Sequence, residues 1–101
     1  MYARPVAFRG RELMGEVLVL FRLLPDGVDV DMDTMREEVK RRIPEGVRLR
    51  GIETKDIAFG LRALNVVVQM KDAEGGPDAI QRALETIPRV QSVEILDMGL
   101  L

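Results

Sequence analysis

Residues 47–70 read VRLRGIETKDIAFGLRALNVVVQM. The stretch divides at Phe59-Gly60. Before it, Val47 and Leu49 alternate with Arg48 and Arg50, the period-two pattern of a strand with one wet face, predicted from about Val47 to Ile57. After it, Leu64, Val66, Val68 and Met70 line one face of a second strand, about Leu61 to Met70, and Ala63, Asn65, Val67 and Gln69 line the other. A link this short joins antiparallel neighbours, so the stretch reads as a β-hairpin.

Working outward, each strand of the hairpin is flanked by a helix and then by another strand. On the N-terminal side, Met32, Met35, Val39 and Ile43 recur at helical spacing, with Asp31 placed to cap the free N–H groups of the first turn. Glu37 and Glu38 precede Arg41 and Arg42 by four residues, the favourable order for surface ion pairs, and Pro44-Glu45-Gly46 ends the helix. Ahead of it, Glu16 to Leu24 is apolar on both faces and predicts a central strand, broken by Pro25-Asp26-Gly27. On the C-terminal side, Pro77 suits a first helical position, and Ile80, Ala83, Leu84 and Ile87 form a buried stripe closed by Pro88. A last strand, about Gln91 to Met98, sets Val93 and Ile95 against Ser92 and Glu94. The order β-α-β-β-α-β, with right-handed crossovers, predicts an α+β ferredoxin-like sandwich: a four-stranded antiparallel sheet with two helices on one face.

Composition narrows the chemistry. The 101 residues are 47% hydrophobic and 32% charged, a globular balance for one domain. There is no Cys and no His, which removes thiol chemistry, disulfides and the commonest general base and metal ligand. A net charge of −2 is not the footprint of a chain that lives on a phosphate backbone. No apolar run approaches the ~20 residues of a membrane span. A cytoplasmic protein is expected, with no cofactor, no bound metal, no membrane and no direct nucleic-acid contact. Residues 1–13 lack periodicity and read as a loosely ordered extension, with Met14-Gly15-Glu16-Val17 as a second beginning and 14–101 as the domain. Gly75-Gly76 is followed by neither a Lys-Ser/Thr pair nor a dinucleotide fingerprint and reads as a turn. Asp72, Glu74 and Asp78 are a charged turn before a helix, though the same side chains are of a type that holds cations. No carboxylate pair with a base or nucleophile is visible, so an enzyme with its own active site is not expected.

The segment left over is Ile57-Ala58-Phe59-Gly60-Leu61-Arg62-Ala63-Leu64. Phe59 at a hairpin tip either folds back as a lid on the core or stands out as a contact. The segment resembles the motif of the translation elongation factor 1-beta family, Pro-Ile/Val-Ala/Gly-Phe/Tyr-Gly-Leu/Ile-Lys-x-Leu. Met14-Gly15-Glu16-Val17, Asp29-Val30-Asp31, Pro44-Glu45-Gly46, Glu74-Gly75-Gly76 and Val90-Gln91-Ser92-Val93-Glu94 are similar to the archaeal members, in order, over residues 14–101. The resemblance implies the same fold and guanine-nucleotide exchange on the GTPase elongation factor 1-alpha. It implies two contact regions, the hairpin (Ile57, Ala58, Phe59, Gly60, Leu61, Arg62) and the C-terminal end (Met98, Leu100, Leu101).

The chain departs from the family pattern at Asp56, where proline is usual, and at Arg62, where lysine is usual. It departs again at Leu100, where eukaryotic members carry a lysine directed at the magnesium site. Two other functions suit the same fold. One is a regulatory small-molecule-binding domain that pairs through its strands. The other is an RNA-binding module using Arg36, Lys40, Arg41, Arg42, Arg48 and Arg50, which is otherwise a solvated face interleaved with Glu37, Glu38 and Glu45.

Overall fold

The computed structural model describes residues 15–71 and 76–101. Six elements follow one another: β1 (Glu16–Pro25), α1 (Met32–Arg42), β2 (Arg48–Ala58), β3 (Leu61–Lys71), α2 (Asp78–Glu85) and β4 (Val90–Leu100). The four strands form one antiparallel sheet in the order β2-β3-β1-β4, the ferredoxin-like arrangement that the hairpin and its flanks predict. β1 is central, as its two apolar faces require. Val17, Val19, Phe21 and Leu23 are buried under the helices, while Leu18, Leu20, Arg22 and Leu24 are half-buried on the open face.

The core lies between the sheet and the helices. Phe21 and Leu23 of β1 meet Leu64, Val66 and Val68 of β3, with Met35 and Val39 of α1, Ile80 and Leu84 of α2, and Val93 of β4. Each such side chain contributes roughly 1.5–3 kcal/mol through apolar burial. The hairpin register sets this up. Thr54 faces Leu64 and Ile52 faces Val66, so the apolar face of β3 turns inward along its length.

The element ends differ from the sequence expectation in ways the local chemistry explains. α1 stops at Arg42, one residue early, because Ile43 precedes Pro44 and takes an extended conformation (φ −69, ψ 122). Asp31 caps α1 as expected, its Oδ1 accepting from the Asp33 N–H at 2.9 Å. Glu38 takes both Arg41 and Arg42, and Glu37 pairs with Lys40, so the predicted Glu37–Arg41 pair does not form. Pro77 is the N-cap of α2 rather than its first residue, because its ψ of 3° lies outside the helix while its carbonyl accepts the Gln81 N–H at 3.0 Å. Ala83 is only half-buried, and the stripe is carried by Ile80, Leu84 and Ile87.

β4 is longer than expected and carries two register shifts against β1. Phe21 pairs with Ile95 and Leu20 with Asp97, which leaves Leu96 as an extra residue on the bulged strand. Beyond the bulge the alternation resumes one residue later. Met98 then pairs with Val19 and Leu100 with Val17 on the helix-facing side, and the Leu101 N–H closes on the Glu16 carbonyl at 2.8 Å.

Candidate functional site

The turn between β2 and β3 holds two residues, Phe59 and Gly60, between the paired Ala58 and Leu61. Both have positive φ, 53° and 81°, the geometry that a two-residue hairpin linking right-twisted strands favours. Glycine adopts it freely; a phenylalanine in the left-handed region is strained by roughly 1–2 kcal/mol. The Phe59 ring recovers none of that in the fold. Its exposure is 102%, that of a free side chain, so it is not a lid on the core. Ile57, at a second bulge between Asp56 and Ala58, is also exposed, and Arg62 faces Asp56 across the hairpin. A large apolar ring is thus held in solvent by a strained backbone.

Two loops close on the same end of the sheet. The Asp26 N–H donates to the Arg89 carbonyl at 2.9 Å, Arg89 Nε donates to Asp26 Oδ1 at 2.8 Å, and Nη2 donates to Asp29 Oδ1 at 2.8 Å. Arg89 does this from a left-handed backbone (φ 71°). The clasp ties the β1–α1 loop to the α2–β4 turn. The hydrogen bond from Arg89 holds the Asp29 carboxyl below its ordinary value of 3.8, and both carboxylates hold Arg89 charged. A depressed folded pKa contributes stability that is present above pH 3.8 and is lost as pH falls through the folded value. Acidification through that lowered value is therefore expected to release the Asp29 arm of the clasp. The Asp29 carboxyl chemical shift followed over the acid range checks this, and titration at the ordinary value would contradict it.

The second predicted region is at the other end. β4 runs antiparallel to β1, with Val90 beside Pro25 and Leu100 beside Val17. The hairpin adjoins the Pro25 end, since Leu64 pairs with Leu23. The structure therefore gathers Ile57, Ala58, Phe59, Gly60, Leu61 and Arg62 into one cluster, and Met98, Leu100 and Leu101 into another. Eight strand residues separate Val17 from Pro25, roughly 27 Å at about 3.4 Å per residue. The second cluster is apolar and exposed, with Leu96 and Ile95 extending it along β4.

The remaining sequence candidates do not converge. Arg36 donates to the Ile52 carbonyl and to Thr54, Lys40 pairs with Glu37, Arg41 and Arg42 pair with Glu38, and Arg50 donates to Gln69. Five of the six basic residues, all but Arg48, are thus tied to partners within the fold. On the open sheet face, Leu18, Leu20 and Val67 flank a polar row in which Arg22 donates to Glu94 at 2.5 Å and lies beside Asn65. Among the described residues no aromatic side chain lies on that face, since Phe21 points into the core. Asp72 and Glu74 lie outside the described residues, as does Gly75.

Residues 18–101 match the family model described as the EF-1 guanine nucleotide exchange domain. The chain belongs to that family. It is 42% identical over 85 residues to elongation factor 1-beta of Methanothermobacter thermautotrophicus, covering 84% of this chain and 96% of the relative. It is 38% identical over 86 residues to elongation factor 1-beta of Methanococcoides burtonii, covering 85% and 97%. The exchange-domain match includes both clusters, the hairpin and the end of β4. Among solved structures, the ACT domain of a GTP pyrophosphokinase from Chlorobium tepidum superposes with a TM-score of 0.58 at 17% identity, covering 80% of this chain and 99% of that one. At that identity the likeness concerns the fold. Among the described residues of this exchange-domain chain, no helix is long and apolar enough to cross a membrane.

Proposed function

We propose that this protein is a guanine-nucleotide exchange factor for elongation factor 1-alpha in translation elongation. It would act in the cytoplasm, with residues 14–101 as the working domain and 1–13 as an extension of it. The observation that carries the reading is Phe59, a fully exposed ring on a strained two-residue turn in a chain of the exchange-domain family.

No chemical active site is required. An exchange factor binds the nucleotide-free GTPase more tightly than the nucleotide-bound form, and by linkage nucleotide weakens its binding by the same ratio. Phe59 serves as the anchor, Gly60 lets the backbone approach closely, and Arg62 supplies charge beside the contact. Ile57, Ala58 and Leu61 shape the tip. Met98, Leu100 and Leu101 form a second, apolar contact, so a partner that meets both Leu100 and Phe59 reaches along all of β1 and past it to the hairpin tip, more than about 27 Å. None of those three side chains carries a cation.

The reading predicts a thermodynamic preference. The protein binds nucleotide-free elongation factor 1-alpha at least tenfold more tightly than the GDP-bound form, and added GDP dissociates the complex; titration calorimetry measures both. Equal affinity for the two forms would remove the driving force for exchange and the reading with it.

A further inference from the structure

We propose that the hairpin contact surface extends across to Val28 of the β1–α1 loop, and that Arg89 is the positioning residue that holds it there. The inference rests on the reading of Phe59 as the anchor for a protein partner. It adds a second apolar residue from a different part of the chain.

Val28 is 62% exposed, an apolar side chain in a polar turn between Gly27 and Asp29. It is not adrift. Asp26 and Asp29, on either side of it, are both held by Arg89. The clasp closes over Gly27, where a Cβ would sit 2.9 Å from Asp29 Oδ1 and 3.3 Å from Arg89 Nη2. A side chain at Gly27 would have to displace the Asp29 carboxylate from the place where Arg89 holds it. The loop so fixed directs Val28 at the hairpin, its Cγ1 lying 4.0 Å from where a Cβ on Gly60 would be. Val28 and the Phe59-Gly60 turn are therefore neighbours, with Ile57 exposed on the adjoining bulge.

Burial does not account for this arrangement. Val28 gains little from the core, while Arg89 adopts a left-handed backbone to reach both aspartates. Two strained non-glycine residues in the described chain, Phe59 and Arg89, fall at the same end of the sheet. One presents a ring and the other fixes the loop that presents a valine beside it. The surface this makes fits an apolar cleft on the partner wide enough for a ring and a neighbouring branched side chain, rather than a slot for the ring alone.

The test compares Val28→Ser, Arg89→Ala, Arg89→Lys and Phe59→Ala in GDP release from elongation factor 1-alpha, with melting temperature recorded for each. Val28→Ser is expected to raise the half-saturating concentration about tenfold at an unchanged melting temperature. Arg89→Ala raises it similarly, with a small loss of melting temperature from the two ion pairs removed, and Arg89→Lys, which keeps the charge but loses the fork, restores part of both. In the double variant Val28→Ser with Arg89→Ala the two effects are less than multiplicative, because both act through Val28. A purely structural Arg89 would instead give a multiplicative effect. Val28→Ser matching the wild type while Phe59→Ala fails would overturn the extended surface and leave the hairpin reading intact. If neither variant changes exchange, both ideas fall.

Discussion

Replacing Phe59 by alanine lowers exchange on elongation factor 1-alpha by about 30-fold or more and leaves the melting temperature within about 2 °C. The magnitude follows from a buried aromatic anchor at an interface, worth ~2–4 kcal/mol when truncated. The stability side follows from its exposure, since a side chain at 102% has no packing in the fold to lose. Phe59→Gly separates the two effects further. Glycine adopts the φ of 53° without the Cβ penalty, so this variant gains up to about 1 kcal/mol, a few degrees in melting temperature, while exchange is lost. Thermal melts beside a nucleotide-release assay read both quantities. A fall of many degrees in the alanine variant would mean that the ring packs on the fold after all.

Phe21 is the counterpart on the scaffold. It is fully buried on the central strand among Leu64, Val66, Val93 and the helices. Phe21→Ala leaves a large cavity and costs about 3–5 kcal/mol. Against a total of roughly 5–15 kcal/mol for a domain, that is about a fifth or more of the stability, or a drop of well over 10 °C. Exchange then fails because the folded population shrinks, not because a contact is missing. Denaturant titration measures the loss directly. A midpoint near that of the wild type would contradict the placement of Phe21 in the core. Two phenylalanines of the same chain thus give opposite signatures, one in activity and one in stability.

The contrast shows what could be read ahead of the coordinates. Period-two alternation in β1 and β3 and helical spacing in α1 reported burial directly, because burial is what the pattern records. Hence the strand order and most of the core were legible. Ends were less so: α1 yielded Ile43 to the constraint of Pro44, and α2 began after Pro77 rather than at it. The bulge at Leu96 shows in the sequence only as the apolar pair Ile95-Leu96 between Glu94 and Asp97, which interrupts the alternation without saying which residue is the extra one. Yet that bulge decides which way Met98 and Leu100 face. At the site, motif resemblance pointed to the hairpin, but only the fold shows that the hairpin and the end of β4 lie at opposite ends of one sheet. Arg89 and Val28 escaped notice because the clasp joins residues far apart in sequence. A valine standing between glycine and aspartate in a turn was the one local hint.

Placing a ring in water on a strained turn lowers the stability of the isolated protein and, on the proposed function, raises that of its complex with the GTPase. Such a trade is common where a surface has been shaped for binding. Arg89 likewise takes a left-handed backbone to reach two aspartates.

The most direct test is release of a fluorescent GDP analogue from purified elongation factor 1-alpha of the same source, with excess unlabelled nucleotide and this protein at one-tenth the GTPase concentration. The account predicts many-fold faster release with turnover beyond one equivalent, abolished by Phe59→Ala. Release at the spontaneous rate, with the GTPase shown to be active, would contradict it.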